Sequence, residues 1–143
     1  MKKSILPFEL GKDYENWEFD LEVLNYERIP NYDSYLYLGD VKKFLNFLPQ
    51  KTELIFYWDR LEFVILTFTN MENNTIEDFK RKLHLSFKIP SSNHNLECEF
   101  YKCKNTNLKF YLLNKTPKTL ILIYGNSKKI HEAYLNVLDE KLE

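Results

Sequence analysis

Between Trp17 and Val23 apolar and polar residues alternate without a break. Trp17, Phe19, Leu21 and Val23 fall on one side, and Glu18, Asp20 and Glu22 fall on the other. A period of two marks a half-buried strand, here with an acidic stripe turned to water. Ser34–Leu38 reads as a second short strand. Gly39-Asp40 then leads into Val41, Phe44, Leu45 and Leu48, the spacing of one helix face, with Asp40 as N-cap and Pro49 as the stop.

Leu54–Trp58 and Leu61–Thr69 flank Asp59-Arg60 and read as a β-hairpin, although Asp-Arg is not a favoured pair for a tight turn. Ile55, Phe56, Tyr57, Val64, Ile65 and Leu66 leave neither face polar, so these strands are expected at the centre of a sheet covered on both sides. The polar stretch Asn70–Thr75 opens a second helix, capped by Asn74 or Thr75, whose buried edge is Ile76, Phe79, Leu83 and Phe87. After the loop Pro90-Ser91-Ser92-Asn93, Leu96–Cys103 and Leu108–Leu113 suggest another hairpin, and Leu120–Tyr124 a buried strand. The last helix begins near Asn126 or Ser127 and carries Ile130, Ala133, Tyr134, Val137 and Leu138 on one face.

The resulting order is β-β-α-β-β-α-β-β-β-α, with Ile5–Leu10 as a candidate further strand. Short loops between successive strands favour an α+β fold, a mainly antiparallel sheet of six to eight strands with three helices packed on it. One internal echo stands out. Tyr35–Leu48 and Leu122–Leu138 both run strand, glycine, cap residue, Lys-Lys, helix.

Composition narrows the picture. The 143 residues suit one domain, 1–143, with a core large enough to fold without metal or disulfide. Aromatic residues make up 16% of the chain, mostly Phe and Tyr, against only three glycines. The longest apolar runs are strand-length, far below the ~20 residues a bilayer needs. The basic opening is cut by Pro7 and Glu9, which argues against a signal peptide. A cytoplasmic protein is therefore expected, and the Lys, Asn, Ile and Tyr usage suggests an AT-rich bacterium.

The net charge of −1 hides an asymmetry. Glu9 to Asp33 holds eight acids against Lys12 and Arg28, whereas Lys80 to Lys118 holds nine bases against Glu97 and Glu99. Opposite ends of the chain could thus steer oppositely charged partners.

Familiar chemistries find little footing. Gly39-Asp40 and Gly125-Asn126 sit where an anion could bind, but each is a lone glycine and reads as a turn with a helix cap. Cys98 and Cys103 are five apart and face opposite ways on a strand. With His84, His94 and His131 they form no metal-ligand spacing, so neither metal nor cofactor is expected. No nucleophile motif occurs. Glu18, Asp20 and Glu22 could serve as paired carboxylates, yet such a stripe ordinarily solvates a sheet and protects its edge.

Two binding surfaces remain. The first joins the acidic stripe to a tyrosine-rich stretch, Tyr26, Tyr32, Tyr35 and Tyr37 around Pro30, and nominates Glu18, Asp20, Glu22, Tyr32, Asp33 and Tyr35 as contacts for a basic protein. The chain is then a non-enzymatic protein-binding module, for instance an immunity or inhibitor protein that neutralises a cognate toxin. The alternative is a nucleic-acid-binding accessory protein using Lys102, Lys104 and Lys109, with Tyr101 and Tyr111 exposed for stacking and Phe100 and Phe110 in the core. A small enzyme whose site assembles only in space, from His84, His131 or a cysteine with a carboxylate, is the third reading.

Overall fold

The structure, a computed structural model, describes residues 6–87, 98–103 and 106–140. Its frame is one seven-stranded, wholly antiparallel sheet in the order β1-β2-β3-β4-β7-β6-β5. The strands are β1 (Leu21–Val23), β2 (Asp33–Tyr37), β3 (Lys51–Tyr57), β4 (Arg60–Phe68), β5 (Cys98–Lys102), β6 (Lys109–Thr116) and β7 (Thr119–Gly125). Helices α1 (Asn73–Phe87) and α2 (Ile130–Asp139) complete the fold. The architecture is α+β as expected, but two α-helices form among the described residues, not three.

The apolar runs lie where their pattern puts them. One face of β3, β4, β6 and β7 presents Leu54, Phe56, Val64, Leu66, Phe110, Leu112 and Leu122 to Ile76, Phe79 and Leu83 of α1. The opposite face presents Ile55, Phe63, Ile65, Tyr111, Leu113, Ile121 and Ile123 to Ile130, Ala133 and Val137 of α2. Alternate residues of each strand feed separate cores, and therefore neither face needs polar side chains.

The expected first helix is replaced by a tight turn. Phe44 and Phe47 exchange both backbone hydrogen bonds (2.9 and 2.8 Å) around Leu45 and Asn46, which adopt φ of 52° and 69°. Few residues separate Gly39 from Pro49, and a helix that short gains little of its own. One ring decides the outcome: Phe44 is fully buried against Phe79, Phe87 and Tyr124, while Val41 and Leu48 stay exposed. With that helix gone, the echo between Tyr35–Leu48 and Leu122–Leu138 does not extend to structure.

The long first strand is also cut down. Short 3₁₀ turns occupy Tyr14–Asn16 and Glu18–Asp20, and only Leu21–Val23 joins the sheet. Trp17 packs on Phe8 and Phe56, whereas Phe19 is 94% exposed, so the two do not share a buried face. Residues 6–10 form bends rather than a strand; Ile5 lies outside the described residues. Tyr124 fixes this segment, donating its hydroxyl to the Phe8 carbonyl (2.7 Å) and accepting from the Phe8 amide (3.1 Å). No helix among the described residues is long and apolar enough to cross a membrane.

Candidate partner-binding surface

The β3–β4 hairpin closes through Trp58 and Asp59, both left-handed (φ 50° and 65°), one position earlier than Asp59-Arg60 suggested. Two consecutive positive φ values give the tight turn whose twist matches antiparallel strands. Its consequence is that Trp58 stands outside the strand, 82% exposed. Tyr57, beside it, meets Trp58 edge-on (6.3 Å) and lies 4.5 Å from the ring of Tyr32. Asn31, Asp33, Tyr57, Trp58 and Asp59 line an open cleft of about 540 Å³.

Around this cleft the local chemistry is acidic and aromatic. Burial raises the Tyr32 phenol above its ordinary range, as does the Glu62 carboxylate, whose Oε1 lies 3.5 Å from the Tyr32 hydroxyl. Glu62 is itself pushed up, first by burial, with the Tyr32 contact pulling the other way. Tyr35 lies on the other face of the sheet against Tyr14 and Phe56. Its phenol is raised by burial and then by Asp33, Tyr14 and Asp59. An exposed indole beside two carboxylates is suited to a guanidinium or ammonium group, which gains from the ring face and from charge pairing together.

The six nominated residues do not form one patch. Tyr32, Asp33 and Tyr35 gather near the hairpin tip, although Tyr32 is buried and Tyr35 half-buried. Glu18, Asp20 and Glu22 are exposed. Asp20 stands opposite Leu38, whose amide it accepts at 2.7 Å. Asp33 lies at the other end of the pairing, about 17 Å away at ~3.3 Å per residue. Of the three acids only Glu22 lies in the edge strand, Glu18 and Asp20 occupy the 3₁₀ turn before it, and the rings cluster at the far corner. Tyr26 and Tyr37 have other tasks: Tyr26 lies under the Arg28 guanidinium (4.7 Å), and Tyr37 packs on Phe8.

Trp58 and Tyr57 were not singled out by the sequence pattern because they end an apolar run. The signal available was the hairpin itself. Pairing Tyr57 with Arg60 leaves Trp58 and Asp59 as the turn, and turn residues cannot be core.

The basic hairpin is smaller than the charge count implied. Lys102 stands opposite Lys109 in the β5–β6 register, and Lys104 lies outside the described residues. The aromatic assignments are reversed in part: Tyr101 is buried with Phe110, Tyr111 is also buried, and Phe100 is 45% exposed. Tyr111 stacks on Tyr134 (4.5 Å, 9°) and its hydroxyl meets His131 Nδ1 at 2.7 Å. The pattern missed this because it placed Phe100 and Phe110 on one face, whereas cross-strand register pairs Phe100 with Tyr111.

Among the described residues the nominated histidines and Cys103 do not gather into one site. His84 packs edge-on against Tyr101 on the α1 face, and His131 lies on the α2 face, so the sheet separates them. Cys103 is buried, which raises its thiol, partly offset by Thr106. His94 and the Cys98 side chain lie outside the described residues. Among the described residues no three His, Cys, Asp or Glu side chains are grouped to hold a metal ion. Comparison with protein-family models, with curated proteins and with solved structures finds no significant match to the chain in any of the three.

Proposed function

We propose that the protein is a non-enzymatic binding module for another protein with a basic surface, and that the hairpin-tip cleft anchors it. The observation that carries this reading is Trp58, a large ring held almost wholly in solvent beside Asp33 and Asp59. Exposed tryptophans dominate binding energy when a partner covers them, and flanking acids speed the capture of a cation. The partner places an arginine or lysine against the indole, while Glu18, Asp20 and Glu22 extend the acidic surface along the sheet edge. An immunity or inhibitor protein that neutralises a cognate toxin is one concrete form of such a module. Its support here is the acidic-aromatic chemistry alone.

A photo-crosslinking residue in place of Trp58 captures the partner for identification and purification. Association with that partner is then measured for Trp58→Ala and for the charge reversals Asp33→Lys, Asp59→Lys and Glu22→Lys. Truncating the indole is expected to cost at least about 2 kcal/mol of binding, mostly as faster dissociation. The reversals slow association and flatten its salt dependence. Unchanged kinetics in all four variants would reject this surface.

One observation favours a second reading. Phe100 is half-exposed on the same face as Lys102 and Lys109, an arrangement that could stack one base and meet two phosphates. A salt-sensitive shift with single-stranded RNA or DNA, lost in Lys102→Glu/Lys109→Glu, would promote it over the first.

A further inference from the structure

Pairing with β2 uses only half of the β1 backbone. Leu38 donates its amide to the Asp20 carbonyl (2.7 Å) and Leu24 donates to the Ser34 carbonyl (3.0 Å), with Glu22 opposite Leu36 between them. Hydrogen-bonded pairs alternate along an antiparallel ladder. The Asp20 carbonyl and the amides and carbonyls of Glu22 and Leu24 therefore turn toward β2, while the Asp20 amide closes the preceding turn on the Trp17 carbonyl (2.8 Å) and Leu21 and Val23 face away from β2. β1 ends the sheet, and none of the described residues pairs with that outer side.

The side chains on this edge have two characters. Val23 and Leu21 share a face with Tyr35 and Tyr37, and Val23 is 72% exposed, with Phe19 more exposed still. Glu22 projects from the opposite face, beside Leu36. Exposed edges are ordinarily blunted by charge or by shortness. β1 has both, yet the apolar Phe19 and Val23 at its margin contribute nothing to blunting. A second copy of the chain is a poor occupant, because antiparallel pairing of two β1 strands would set carboxylates against carboxylates. A basic strand meets the opposite condition.

We infer that the free edge of β1 accepts an extended segment of a partner protein as an additional strand, reading apolar–basic–apolar across Leu21, Glu22 and Val23. The inference rests on the protein-binding reading and adds the manner of docking. The amides and carbonyls of Leu21 and Val23 supply the main-chain bonds. In an antiparallel match the incoming residue opposite Glu22 lies in a non-hydrogen-bonded pair, where side chains are closest, so a lysine or arginine there meets the carboxylate directly. Its neighbours point to the other face and cover Leu21 and Val23.

The test is an NMR titration of the isotope-labelled protein with a synthetic peptide of about six residues, valine and lysine alternating. Shifts should centre on Leu21 to Val23, and the amides of Leu21 and Val23 should exchange more slowly with solvent. A peptide of valine and glutamate should not bind. Nor should the valine–lysine peptide when N-methylated at the alternate residues that face β1. Val23→Pro removes an amide that β2 does not use, a change tolerated at a solvent-facing strand edge. It should weaken the peptide by up to about tenfold, the worth of one hydrogen bond. Glu22→Lys should invert the preference between the two peptides.

Equal binding of lysine and glutamate peptides, indifference to N-methylation, or shifts confined to the hairpin tip would each overturn strand addition. Should Val23→Pro fail to fold, the N-methylated peptide on the unaltered protein decides the matter. If the peptide fails at β1 while Trp58→Ala still weakens the crosslinked partner, the docking mode alone is wrong. If both fail, the binding-module reading goes with it.

Discussion

Glu62 carries a carboxylate where burial resists its charge, and the resulting rise in pKa has a consequence for stability. A carboxyl group with a higher pKa folded than unfolded binds more protons in the native state between the two values. Stability therefore falls as pH climbs through the folded pKa and is regained toward the unfolded value. Glu62→Gln removes this dependence. The variant should melt above the unaltered protein at about pH 7, with the gap closing by about pH 4, near the ordinary carboxylate range. Thermal melts across that interval check the sign, and a gap that does not vary with pH would refute it. Tyr124 offers a second case. Its hydroxyl satisfies both main-chain groups of Phe8, a residue 1% exposed. Tyr124→Phe should cost about 1–3 kcal/mol in denaturant unfolding, the range for buried polar groups left unpaired.

Among the elements, the segment between β1 and β2 has no regular structure, yet it buries Ile29 and Tyr32 against the α2 face. Arg28 holds it there. Its guanidinium donates Nε to Glu53 Oε1 (2.8 Å), Nη2 to Glu53 Oε2 (2.9 Å) and Nη1 to Asn136 Oδ1 (3.0 Å), and it meets Glu140 at 2.7 Å. One buried cation thus ties the segment, β3 and the end of α2 together. Burial alone would lower the Arg28 pKa, but the Glu53 and Glu140 contacts outweigh it and raise the net value. Arg28→Ala should destabilise by about 3 kcal/mol because Glu53 is left buried with only the half-exposed Lys51 (3.6 Å) beside it. Replacing both Arg28 and Glu53 by methionine should recover most of that loss, and a double variant as weak as the single one would assign the cost to something other than stranded charge.

The same clamp shows where pattern reading stops. Strands β3, β4, β6 and β7 were legible because each carries a central apolar run, Leu54–Phe56, Phe63–Leu66, Phe110–Leu113 and Leu120–Tyr124, that fills both faces. Arg28 looked like one of two bases in an acidic stretch, since its partners are 25 and 108 residues away and no local spacing announces them. Val41–Leu48 had helical spacing, but four apolar residues do not make a helix when Phe44 alone is fully buried, Leu45 is half-buried, and Val41 and Leu48 stay in solvent. Trp17–Val23 had strand spacing, but the sheet offers this stretch a single neighbour, too little to hold its first half extended. At the candidate site, Asp33 and Tyr32 were legible from composition, whereas Trp58 depended on a hairpin register that shifts by one residue.

Over the whole molecule, sheet order converts the charge asymmetry of the chain into geometry. β1 and β5 are opposite edges, so the acids near β1 and the lysines of the β5–β6 hairpin lie at the two ends of a seven-strand span. Folding also discounts the basic end. Lys80 pairs with Glu99 at 2.5 Å, Arg81 and Lys82 both pair with Asp78, and Lys118 pairs with Glu72 at 3.4 Å. Lys115 donates to the Val137 and Leu138 carbonyls, where a cation offsets the negative end of α2. Among the described bases of this stretch Lys102 and Lys109 are left to meet phosphate, and their juxtaposition is mutually repulsive until an anion arrives. If single-stranded nucleic acid binds at all, two phosphate contacts imply a slope of about −1.4 in a plot of log affinity against log salt concentration. The unfolded tally of nine bases would imply about −6 on the same rule. Fluorescence anisotropy with a labelled oligonucleotide over a salt series distinguishes the two. A slope near the larger value would show that the ion pairs to Asp78, Glu72 and Glu99 open on binding, and would make the basic edge the working surface in place of the acidic one.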